Sequence, residues 1–134
     1  MADYFATVKN YINDLNLKIV NEDTAEELVV IDDEENGIKN LIVDCEDPIL
    51  IVEQAVFPLS KRAKTSSEIL LRLLQMNRHL VHGAFVVDET GSQVIFRDTL
   101  QLANLDLNEL EGSINALSLG LAEFGGEIIE MAQG

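Results

Sequence analysis

The stretch LLRLLQMNRHLVHGAFVVDETGSQVIF, Leu70–Phe96, decides the fold. It opens with apolar residues at helical spacing and closes with apolar residues that alternate, so a helix gives way to strands within it. The helix is predicted over TSSEILLRLLQMNRHL, Thr65–Leu80, where Thr65 and Glu68 stand at capping-box spacing. On a helical wheel Arg72, Gln75, Arg78 and His79 form a narrow polar stripe. Ile69, Leu70, Leu73, Leu74, Met76 and Leu80 cover most of the rest, and Asn77 falls inside that apolar arc. A carboxamide there costs stability unless its hydrogen bonds are met. Asn77 is therefore expected to be buried and to tie the helix to neighbouring backbone. Gly83 stops the helix, and AFVVDET and SQVIFRDTLQL pair as a hairpin around Glu89-Thr90-Gly91.

The same stretch holds the chain's two histidines, His79 and His82. They can share one helical edge, but catalytic zinc takes three protein ligands and structural zinc four. No third histidine exists, and Cys45 belongs to a different predicted element. His79 sits in the polar stripe, and His82 lies where a helix dipole favours positive charge. No metal and no cofactor is expected.

Working outward, ADYFATVKNYINDLNL places Phe5, Val8, Ile12 and Leu15 on one helical face, with Asp3 as N-cap. LKIVNED is a candidate short strand. ELVVIDD and IKNLIVDCED flank EENG, whose Asn-Gly predicts a hairpin with positive φ at both residues. After the Asp47-Pro48 break, ILIVEQAVF begins with a continuous apolar run and is predicted as a central strand buried on both faces. Asn104 or Asp106 caps a last helix, in which Leu107, Leu110, Ile114, Leu117, Leu121, Phe124 and Ile128 repeat at alternating threes and fours. Gly125-Gly126 is expected to kink or end it. Beside that stripe Gly112, Ala116 and Gly120 recur every fourth residue, a pattern open to core packing or to a self-association seam. The order is helix, about three strands, helix, two strands, helix (α-β-β-β-α-β-β-α). This is an α+β fold, an antiparallel sheet with helices packed on it.

At 134 residues the chain fits one domain, residues 1–134, with a core that needs neither disulfide nor metal. Its single cysteine, Cys45, precludes an internal disulfide and suits a reducing cytoplasm. The N-terminal residues predict no secretory leader, and no apolar run approaches the ~20 residues of a membrane span. The formal net charge is −15. Phosphate backbones and anionic membrane surfaces are repelled by it. Residues 99–134 carry 6 acids and no base, whereas residues 58–98 carry 4 acids and 6 bases. Lys61, Arg62 and Lys64 are the one basic cluster, expected in a solvated loop.

Few motifs suggest chemistry. Asp32, Glu34, Asn36 and Gly37 match the first half of a calcium loop, but the position that must supply a bidentate Glu is Val43. The loop reads as an acidic hairpin tip. Acids flank Cys45 on both sides and disfavour its thiolate, so it reads as a strand residue. No nucleophile elbow, phosphate-cradling loop or dinucleotide fingerprint occurs.

The element order and Leu70–Leu102, with a Leu-rich helix carrying Asn77, the Gly83 stop and the hairpin, together resemble the YbjN-like family. The acidic last helix around LDLNELEGSINAL adds to the likeness. The fold of that family is similar to that of type III secretion chaperones of the Tir-chaperone kind. The resemblance implies a small acidic bacterial domain, often dimeric, without enzymatic chemistry, whose secretion-chaperone cousins hold extended client segments. The expected function is a non-enzymatic protein-binding module, chaperone-like or regulatory. The alternatives are a small-molecule or metal-responsive domain, and an enzyme with a carboxylate-based site. A homodimer is expected through the Ile69–Leu80 helix, with Leu70, Leu71, Leu74 and Asn77 as the candidate interface. Leu71 stands out because it projects from the polar side, where no sheet-facing residue would be.

Overall fold

The computed structural model describes residues 3–59 and 63–133, without the side chains of 63–66. Lys61 and Arg62 lie outside the described residues, as do the Lys64 and Thr65 side chains. Three helices lie on one six-stranded sheet. The elements are α1 (Tyr4–Asp14), β1 (Lys18–Asp23), β2 (Leu28–Asp33), β3 (Ile38–Glu46), β4 (Ile49–Pro58), α2 (Ala63–Asn77), β5 (Ala84–Val87), β6 (Gln93–Gln101) and α3 (Leu107–Gln133). The architecture is α+β with one strand more than expected before the middle helix: KIVNED is a full edge strand. The sheet order is β1-β2-β3-β4-β6-β5, with every pair antiparallel.

The core lies on one side of this sheet. Val29, Ile31, Leu41, Val43, Leu50, Val52, Val94 and Phe96 point into it with almost no exposed surface, and Phe5, Val8 and Ile12 of α1 meet them. Each such side chain contributes roughly 1.5–3 kcal/mol by leaving water. Leu110, Ile114, Leu117, Phe124 and Ile128 of α3 close the same core, so the alternating threes and fours are sheet packing. The small stripe beside them also faces its own chain. A Cβ on Gly112 would stand 3.2 Å from His82 Nε2, and one on Gly120 would stand 2.8 Å from Leu80 Cδ2. Gly112 and Gly120 let the segment after α2 approach α3, and packing within the chain accounts for the spacing of the small residues.

Caps set the helix ends. Asp3 Oδ1 accepts the Ala6 amide, as expected. Of the two candidates for α3, Asp106 is the cap: its carbonyl accepts the Glu109 amide while Glu109 Oε1 accepts the Asp106 amide. Asn104 sits in the preceding turn at φ 62. α2 begins at Ala63, and the capping-box expectation at Thr65 falls on a side chain outside the described residues. Gly125-Gly126 does not end α3, because Phe124 and Ile128 on either side are held in the core and carry the helix past two weak formers.

The β2–β3 connection departs from a two-residue Asn-Gly turn. Glu34–Asn36 make a 3-10 turn, and only Gly37 takes positive φ, at 76. Gln54 of β4, buried to 6% exposure, holds this turn down: its Oε1 accepts the Lys39 amide and its Nε2 donates to Gly37 O. β4 is central as expected, yet it is buried on one face only. Leu50, Val52 and Gln54 point inward, while Ile49, Ile51 and Glu53 stay half-buried on a face that no helix covers.

Asn77 fixes how the chain passes from α2 to β5. The Asp88 amide donates to Gln93 O, and antiparallel alternation then turns the polar groups of Phe85 away from β6, toward the free edge. Asn77 fills that edge. Its Oδ1 accepts the Phe85 amide at 2.8 Å and its Nδ2 donates to Phe85 O at 3.2 Å. The side chain is half-buried, not buried, because it lies along the sheet's rim. Asn77→Ala leaves two backbone groups unmet, and its expected cost is about 1–3 kcal/mol by denaturant melt. A midpoint equal to wild type would contradict this account.

Candidate functional site

α2 has two apolar faces, a feature that decides what the surface can do. Ile69, Leu73 and Met76 are buried on the sheet side. Leu70, Leu71 and Leu74 form the opposite side and are 38%, 58% and 67% exposed. Of the expected interface residues these three are brought together on one outward row. Asn77 is engaged with Phe85 at its flank. The two faces arise because leucines follow one another at 70-71 and 73-74, and consecutive residues diverge by about 100° around a helix.

The polar stripe of α2 is turned toward α3. Arg72 donates from Nε and Nη2 to both oxygens of Glu127, each at 2.7 Å, and lies 5.7 Å from the Phe124 ring centre. The guanidinium holds Glu127 below the usual carboxylate range. The pair is solvent-exposed, so it orients the helices more than it stabilises them. The His79 ring lies 5.9 Å from Phe124. Between the end of α2 and α3 runs a groove of about 470 Å³, its floor formed by Leu80, Ala116 and Gly120. Val81 and Leu119, at its rim, are 82% and 68% exposed. Neither was foreseen. Leu119 lies off the apolar repeat of its helix, and Val81 follows the last helical turn, so no periodicity flags either one.

The remaining candidates find structural duties. His82 packs beside Gly112 and His79 beside Phe124. Among the described residues no three His, Cys, Asp or Glu side chains gather as a metal-binding group. At the acidic hairpin tip, Asp32 Oδ1 accepts the Asn40 amide and Asp33 Oδ2 accepts from Asn36 Nδ2. Cys45 is buried in β3, and its thiol is pushed up to about 12, chiefly by burial and then by Glu27 and Asp44. It stays protonated and a poor nucleophile. No helix among the described residues is long and apolar enough to cross a membrane.

A family model, CesT_Tir_1, matches residues 1–134, the whole chain. The chain belongs to this type III chaperone family. Solved structures share its fold. YbjN from E. coli superposes with a TM-score of 0.69 at 12% identity, over 92% of both chains. A chain of the HopA1–SchA chaperone–effector complex gives 0.60 at 12% identity, over 98% of this chain and 94% of that one. A chain of the ExsC–ExsE complex gives 0.60 at 21% identity, over 92% and 93%. No curated protein matches the sequence. The YbjN-like resemblance and the chaperone fold therefore stand together, and the family supports a protein-binding, chaperone-like module.

One residue the sequence did not flag is Asp44, which points out from β3 between Leu28 and Ile51. Its carboxyl is pushed up from 3.8 to about 6, chiefly by burial, then by Glu46, Glu26 and Glu53. Between those two values the folded chain holds a proton that the unfolded chain has released. The charged carboxylate therefore opposes folding above pH 6, and acidification toward pH 4 relieves it. Asp44→Asn is expected to raise the melting temperature at pH 7.5, with a gain that shrinks below pH 6 and is gone near pH 4. A gain that does not vary with pH, or a loss at pH 7.5, would contradict the assignment.

Proposed function

We propose that the chain is a non-enzymatic protein-binding module, chaperone-like, that works in a bacterial cytoplasm as a homodimer joined through the outer face of α2. One observation carries the reading: Leu70, Leu71 and Leu74 stand exposed on a single row. An isolated exposed leucine needs no explanation, whereas three on one helical row mark a contact surface. Charge supports the same face. Two chains at −15 repel, so a shared surface must exclude most acids. After Glu68, α2 and the turn beyond carry none through His82. α3 offers Leu119 and Ile129, but Glu123, Glu127 and Glu130 accompany them along the helix. The protein–protein complexes among its structural neighbours support a role in holding other polypeptides.

Light scattering at tens of micromolar is expected to give twice the 14.8 kDa chain mass. Leu71→Glu places a charge on the row and should yield monomers with unchanged circular dichroism. The wild-type dimer should tighten as salt rises, because screening weakens the repulsion between acidic chains. A wild-type mass of one chain would refute the dimer. A dimer that survives Leu71→Glu would refute the α2 interface.

A further inference from the structure

The outer face of the sheet has no partner among the described residues. Cross-strand register places Val30 opposite Ile42 and Ile42 opposite Glu53 there, with Asp44 opposite Ile51 and Val86 opposite Ile95. Val30, Ile42, Ile51 and Ile95 are half-buried by their strand neighbours alone, and none joins the core beneath the helices. A solvated antiparallel face usually alternates toward polar residues. This one carries Val30, Ile42, Ile51, Ile95 and Val86 across five strands, interrupted by Asp44 and by the Glu53–Arg97 pair.

The charges say what suits it. Asp44 lies among Glu26, Glu46 and Glu53, from the β1–β2 turn, β3 and β4. The base nearest the middle of this face, Arg97, already meets Glu53 at 3.3 Å. Asp44 Oδ1 is shielded from water and has no hydrogen-bond donor. A second copy of the chain would set these acids against one another, and a nucleic acid would be repelled. A polypeptide carrying a cationic donor between apolar side chains meets both requirements.

We propose that the outer face of the sheet docks an apolar segment of another protein that carries a lysine or arginine, with the cation seated on Asp44. This rests on the protein-binding reading above and is independent of the α2 dimer. Arg is the better fit, because its guanidinium is more weakly hydrated than an ammonium and loses less on entering an apolar face. Only the ionised carboxylate holds the cation, so occupancy weakens as the solution falls below pH 6.

Selection of displayed random dodecapeptides on the full chain tests this. The enriched peptides are expected to carry Lys or Arg flanked by aliphatic or aromatic residues. The best of them, made synthetically and followed by fluorescence anisotropy, should bind Asp44→Asn about tenfold more weakly or worse. Ile51→Ser should weaken it too, and Leu71→Glu should not. Affinity should fall below pH 6 in wild type and stay level in Asp44→Asn. Asp44→Asn is expected to be the more stable protein, so lost binding there cannot be ascribed to unfolding. Enriched peptides that ignore Asp44→Asn but fail on Leu71→Glu would overturn this docking site and leave the protein-binding reading standing. No enrichment at all would count against both. A light-scattering mass altered by Asp44→Asn would overturn the proposal in favour of self-association.

Discussion

Three helices cover one face of a six-stranded sheet, and the described residues provide no layer for the other. The rest of the structure follows from that one-sidedness. The core must be built between the helices and the inner residues of β2 to β6, where Phe96, Leu50, Leu41 and Ile31 are fully buried. Aliphatic residues beyond that layer have nowhere to go. They surface on the outer sheet face and along the outer row of α2, and both surfaces are available to other polypeptides.

Placement of α2 depends on a small set of directional contacts. Asn77 takes both free polar groups of Phe85 and so fixes the edge of the sheet against the end of the helix. The same bonds occupy an edge that would otherwise invite another strand. Arg72 on Glu127 sets α2 against α3, and Gly120 admits Leu80 between them. With its inner face committed in this way, α2 can only present Leu70, Leu71 and Leu74 outward. Exposure of those leucines is thus a consequence of the packing and not of a loosely held helix.

Much of this was legible in the sequence where periodicity and polar chemistry agree. The Asp3 cap with Phe5, Val8 and Ile12 gave α1, and the apolar repeat from Leu107 to Ile128 gave the buried face of α3. Asn77 was legible as a backbone tie because a carboxamide in a leucine arc must find partners. Other features were hidden for physical reasons. β1 was legible as a candidate short strand but not as a full member of the sheet, because an exposed edge strand has no strong inward alternation. ILIV in β4 read as buried on both faces, because alternation vanishes when both faces are aliphatic. Asp44 looked like one acid among 24, and only the cross-strand neighbours Leu28 and Ile51 single it out. Val81 and Leu119 depend on how two helices end and cross, which no local pattern encodes.

The central claim is that the outer row of α2 is a contact surface that the chain itself leaves uncovered. Paramagnetic relaxation of leucine methyl signals by a soluble agent, followed across a dilution series, tests it most directly. The account predicts that Leu71 and Leu74 are shielded at high protein concentration and become as accessible as Leu119 on dilution. Leu71 and Leu74 methyls as accessible as Leu119 at every concentration would contradict it.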